Sequence, residues 1–131
     1  MLTNLDEAKL YIQQLNLGYI VEAMCADTYP LPRWVKPEAE YCAQLYKNFL
    51  WLNRKHPSLA LVPTREIDEF WHNHILYTKN YIRDCMKIFG HYFHHEPSMP
   101  EEDPNTLAAI FVKTKELYFS EFGQNLGLIS T

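Results

Sequence analysis

An all-α fold, one compact domain of about five to six helices, is what the sequence predicts, on three observations. Apolar residues recur at steps of three and four through most of the chain. Residues that start and stop helices bracket those runs. The one strand-like stretch, SLALVP, has no second run to pair with and reads as a buried extended link. The 131 residues suffice to close a hydrophobic core as a single domain, 1–131, without staples.

The elements follow in order. Asn4 with Glu7 makes a capping box, and Leu5, Ala8, Ile12 and Leu15 line one side of the helix it starts. Gly18 ends that helix or separates it from a second running to about Thr28, with Ile20, Ala23 and Met24 inward. Pro30 and Pro32 stop it, so YPLPRW is an extended connector. Pro37 fits the first turn of a third helix. Cys42, Leu45, Phe49 and Leu52 step along its apolar face, widened by Tyr41, Tyr46 and Trp51.

Thr64 is an N-cap for a fourth helix through WHNH. Thr78 begins a fifth with Tyr81, Ile82, Cys85, Ile88 and Phe89 inward; the alternative is one long helix from Thr64 to Phe89. Gly90 ends it, and the loop GHYFHHEPSMPEED is too proline-rich to be helical. Asp103-Pro104 pairs an N-cap with a first-turn proline, and Glu101 to Asp103 read as a solvated helix start. Leu107, Ile110, Phe111, Leu117, Tyr118 and Phe122 then give the last helix a broad apolar face, with Gly123 as its C-cap.

Composition narrows the function. At 47% hydrophobic and 21% charged the chain is not a disordered tail. A net charge of -4, with no Lys/Arg run, argues against nucleic acid or an anionic membrane as partner. The N-terminus lacks a secretory pattern, and no segment reaches the roughly 20 apolar residues of a span. Cys25, Cys42 and Cys85, odd in number and without a CxxC pair, are expected reduced and buried in a cytoplasmic setting. A signal read by a specialised secretion machine would leave no trace of this kind.

Reactive chemistry concentrates between Arg65 and Pro97, where five of the six histidines fall. Successive residues turn about 100° on a helix, so His72 and His74 point about 200° apart and cannot share an ion from one helix. Asp68 and His72, four apart, share a face and suit a carboxylate orienting an imidazole. Two readings are open. In the first, Asp68, His72, His74, Asp84, Cys85, His94 and His95 form a structural polar network, with His72 donating to Asp68. In the second, His72, His91 and His95 bind a metal, zinc by ligand type, making the chain a metal-binding protein or a metal-dependent enzyme, although the spacing matches no zinc signature.

Other chemistries have less support. Cys85 sits on an apolar face, where a thiol is unreactive. Ser58, Ser98, Ser120 and Ser130 lack a nucleophile-elbow context, and four scattered glycines make no phosphate loop. Tyr29, Arg33 and Trp34, beside two prolines, are a candidate anchor for a protein partner, since these residue types dominate binding hot spots. The alternative is that Trp34 only plugs the core.

The segments IDEFWHNHIL, TKNYIRDC, FGHYFHHEP, MPEED and TKELYFSEFG resemble the glycine-rich domain-containing protein-like family, over roughly the stretch from Pro63 to Gly123. The glycine-rich tail of larger members is absent. The resemblance implies a compact helical domain whose signature is Asp68, Trp71, His72, His74, Tyr81, Asp84, Cys85, His94 and His95. In size and helical character the chain also resembles small bacterial effector-inhibitors that bind and block ubiquitin-directed transglutaminase and deamidase enzymes. The expectation is therefore a non-catalytic regulator with an enzyme as its protein partner, cofactor-free, cytoplasmic or delivered into a host cell. A homodimer through an aromatic face is a second expectation for assembly.

Overall fold

Helix α3 (Lys36–Lys55) is the axis on which the other elements pack. The protein is described from a computed structural model covering residues 4–96 and 103–126. Around α3 lie α1 (Leu5–Gln14), α2 (Gly18–Cys25), α4 (Arg65–Leu76) and α6 (Pro104–Phe122), while α5 (Thr78–Ile88) closes against α4 and α1. Among the described residues all regular structure is helical, and the fold is all-α in a single domain. The centre of α3 is buried all round: Tyr46, Phe49, Leu50 and Leu52 are sealed, and Trp51 nearly so. Each such side chain contributes about 1.5–3 kcal/mol by leaving water.

The capping signals act as their chemistry requires. Asn4 Oδ1 accepts from the Glu7 N–H at 2.8 Å, and Asn4 Nδ2 donates to Glu7 Oε1 at 3.2 Å. Thr64 Oγ1 accepts from the Ile67 N–H at 3.2 Å, and Asp103 Oδ1 from the Asn105 N–H at 3.0 Å. Pro37 lies in the first turn of α3. Gly90 (φ 77°) and Gly123 (φ 68°) adopt the left-handed conformation that ends α5 and α6.

Boundaries that the sequence left open are fixed, and other boundaries and faces differ from its expectation. Gly18 separates the two helices, the second of the readings open for it, and opens α2, its N–H donating to Asn16 Oδ1 at 2.9 Å. That helix stops at Cys25, because Ala26 is already extended. The fourth and fifth helices are separate, as the first of the two readings had it, with the break at Tyr77 (φ -88°, ψ 72°) rather than one long helix from Thr64 to Phe89. Leu5, Tyr41 and Ile82, expected inward, are 44%, 53% and 50% exposed, because they fall at the margins of stripes whose centres alone meet a neighbour.

SLALVP is not a buried link. Ser58 to Ala60 are exposed and Leu61 to Pro63 half-buried, with the Val62 N–H tied to Thr114 Oγ1 at 3.0 Å. On α6 only Thr114 and Tyr118 are buried, while Leu107, Ile110, Phe111, Leu117 and Phe122 are half-buried. Its packing partner among the helices is chiefly α3, so a broad stripe meets a single neighbour. The acidic pair Glu101 and Glu102 and the prolines of the preceding loop, Pro97 and Pro100, lie outside the described residues.

Candidate functional site

Two polar arrangements stand out, one sealed and one open. The sealed one centres on His74, which the helical phase of α4 turns inward beside Phe70. His74 Nε2 lies 2.9 Å from Asp84 Oδ2 on α5, and His74 Nδ1 lies 2.7 Å from the Tyr46 hydroxyl on α3. Both His74 and Asp84 are 1% exposed. From α1, the Tyr11 hydroxyl donates to Asp84 Oδ1 at 2.7 Å, and Arg83 Nε donates to the same oxygen at 3.1 Å. Four helices are thus joined through one imidazole–carboxylate pair.

Proton positions follow from the partners. Burial pushes the Asp84 carboxyl up, but hydrogen bonds from His74, Tyr11 and Arg83 outweigh it, and the net direction is down. Burial raises the Tyr46 hydroxyl well above its ordinary value, so it is a donor. Burial, then the bond to Asp84, lifts Tyr11 to about 12. Tyr46 therefore donates to His74 Nδ1, and His74 Nε2–H donates to an ionised Asp84. Every polar atom of the imidazole is satisfied, and the pair has no face open to a substrate.

A second layer covers this pair. Trp71 Nε1 donates to the Tyr81 hydroxyl at 2.9 Å, and Tyr81 in turn donates to the Phe93 carbonyl in a very short bond. Phe93 and His95 both stack on Trp71, with centroids at 4.8 and 4.1 Å. His95 Nε2 lies 2.6 Å from Asp68 Oδ1.

The remaining histidines take other places. Asp68 pairs with His95 and not with His72, which is exposed and hydrogen-bonds no described residue. His95, in the segment after α5, takes the carboxylate that spacing on α4 alone offered to His72. His94 is exposed against the Tyr92 ring, and His91 Nδ1 lies 3.0 Å from the Tyr92 carbonyl. Cys85 is buried, and burial raises its thiol. Among the described residues no three or more His, Cys, Asp or Glu are placed to share an ion, so the set His72, His91 and His95 does not assemble.

The open arrangement is a cleft of about 510 Å³ between the loop Tyr29–Trp34 and the first turns of α3 and α4. That volume lies within the range of ligand pockets. Tyr29, Arg33 and Trp34 all line it, as do Glu38, Arg65, Glu66 and Glu69. Trp34 is half-buried, and its backbone N–H donates to the Met24 carbonyl at 3.1 Å, fixing the loop to the end of α2. Glu69 Oε2 accepts from the Tyr29 hydroxyl at 2.5 Å and from Trp34 Nε1 at 2.6 Å. Burial, then the bond to Glu69, raises Tyr29 to about 12.

Asn73 Nδ2 donates to the Tyr29 hydroxyl at 3.0 Å. Arg33 is held by Asp27 at 2.8 Å, and Leu31 stands 84% exposed at the rim. Tyr46, Tyr11, Glu66 and Glu69 were not expected from the sequence. The available signal was the spacing of Glu66, Phe70 and Asn73, which share one side of α4 and are all buried there.

Fold and site together define a small all-helical domain with a sealed imidazole–carboxylate spine and an aromatic, carboxylate-lined cleft at its surface. The chain belongs to the UCP032817-like family, whose model matches residues 7–109, a span that holds both arrangements. No curated protein and no solved structure matches it. Among the described residues no helix is long and apolar enough to cross a membrane.

Proposed function

We propose that this chain is a non-catalytic protein-recognition domain that regulates a partner enzyme, and that it engages the partner through the cleft formed by Tyr29–Trp34 and the start of α4. The observation that carries this reading is the placement of the polar chemistry. The His74–Asp84 pair is closed on every side by its own partners. Tyr29, Arg33 and Trp34, of the residue types that anchor interfaces, instead line an open cleft, with Leu31 exposed at its rim. The favoured partner class is a bacterial ubiquitin-directed transglutaminase or deamidase, on the resemblance in size and helical character to inhibitors of such enzymes.

Affinity capture from the native cell tests the reading with three full-length chains: wild type, a rim variant (Leu31→Lys with Glu38→Lys) and a control on another face (Met86→Ala). Wild type and control should retain one enzyme and slow its turnover when added in excess, while the rim variant should do neither. A wild-type chain that stays a clean monomer without a partner at native abundance would overturn the proposal. If a ubiquitin-directed transglutaminase keeps its full rate under excess wild-type chain, the narrower partner class is lost.

A further inference from the structure

Glu66 lines the cleft with 7% of its surface exposed, and its Oε2 has no hydrogen-bond partner among the described residues. A carboxylate stripped of water normally receives a cation or several N–H donors in exchange. Its neighbour Glu69, three residues on, has that compensation, with Tyr29 and Trp34 both donating to one oxygen. Neither arginine at the cleft bonds Glu66: Arg33 is engaged with Asp27, and Arg65 is exposed. Asp27, Glu38, Glu66 and Glu69 against Arg33 and Arg65 leave the neighbourhood negative.

The position of Glu66 is also fixed from behind. The Cys42 thiol donates to its backbone carbonyl at 3.2 Å, and Thr64 caps the same helical turn. The backbone that carries the Glu66 side chain is therefore fixed at the base of the cleft. Two aromatic side chains, Tyr29 and Trp34, complete the lining. Aromatic faces attract cations, and a planar, weakly hydrated guanidinium both stacks on rings and offers forked donors to carboxylates.

We propose that the cleft receives an arginine side chain of the partner protein, with its guanidinium neutralising Glu66. This rests on the protein-recognition reading for the source of the arginine but not for the chemistry of the cleft. The role of Glu69 is to position Tyr29 and Trp34, and that of Glu66 is to supply the charge the ligand answers.

The test is a titration of the ¹⁵N-labelled full-length chain, reading the Trp34 indole N–H by NMR. The probes are Nα-acetyl-arginine amide, its neutral isostere Nα-acetyl-citrulline amide, and Nα-acetyl-lysine amide. The arginine probe should shift the Trp34 signal saturably, the citrulline probe should not, and Glu66→Gln should weaken the arginine probe about tenfold. Equal response to citrulline, undiminished binding in Glu66→Gln, or equal or tighter binding of the lysine probe overturns the assignment. If Glu66→Gln does not fold, the arginine–citrulline contrast on wild type still decides. The two readings fail separately: a positive titration without a captured partner removes only the regulator, and a captured partner with a silent titration removes only the arginine site.

Discussion

His95 Nε2 and Asp68 Oδ1 lie 2.6 Å apart, and this contact pins the segment after α5 to the first turns of α4. His95 also stacks on Trp71 at 4.1 Å, so one side chain provides both a polar and a flat apolar fastening. Asp68 is about half exposed, which limits what the pair contributes to global stability. His95→Ala should lower stability by only about 1 kcal/mol. It should nevertheless speed amide exchange at residues 91–96 and alter Trp71 fluorescence. Unchanged exchange there would show that the segment is held by other contacts.

His72 and His74 are separated by one residue and should respond in opposite ways. His74→Ala leaves Asp84 and Tyr46 buried without their partner and should cost about 3–5 kcal/mol in urea unfolding. His72→Ala removes an exposed ring with no described hydrogen bond and should stay within about 0.5 kcal/mol of wild type. Comparable losses for both would contradict the placement of the two rings.

Acid should weaken the sealed pair in a defined window. The folded Asp84 carboxyl titrates below the ordinary value of 3.8, so the unfolded chain takes up its proton first as pH falls. The stabilisation is complete above the unfolded value and is lost as pH drops through the lower folded value. The stability difference between wild type and Asp84→Asn should therefore shrink below about pH 4. A difference that holds constant down to about pH 2 would show that Asp84 is not the group responsible.

Glu69 gathers two donors on one oxygen, and its loss should be read at both of them. Glu69→Gln should cost about 1.5–3 kcal/mol, the worth of a hydrogen bond to a charged group. The Tyr29 hydroxyl, now at about 12, should titrate lower, although burial will keep it above 10.0. Ultraviolet pH titration against a Tyr29→Phe background isolates that hydroxyl. No downward movement would remove Glu69 as a cause.

What the sequence made legible was local. Asn4, Thr64, Asp103 and Gly123 act on backbone groups within a turn of themselves, so their identity and spacing suffice to place helix ends. His74 and Asp84 were both in the expected polar network, but their pairing and its Tyr46 and Tyr11 partners were not legible, because they join residues on α1, α3, α4 and α5 whose meeting depends on how the helices pack. Spacing pointed instead to Asp68 with His72, a pairing allowed on a bare helix but displaced once the loop brings in His95. Glu66 and Glu69 escaped notice for a different reason: glutamates on a helix are ordinarily solvated, and only the loop Tyr29–Trp34 lying across them makes them a cleft.

Helix α6 is fastened by Thr114 to Val62, Asn48 to Tyr118 and Lys55 to Glu121, and its helix-to-helix packing is chiefly with α3. Its apolar residues are mostly only half covered, whereas most of those on α3 and α4 are buried. Opening free energy should therefore fall off towards this flank, with α6 expected to peel away first while the α1–α5 body keeps most of its core. A sub-global opening of that kind would leave the spine and the cleft intact, uncoupling the breathing of one end from whatever the other end grips.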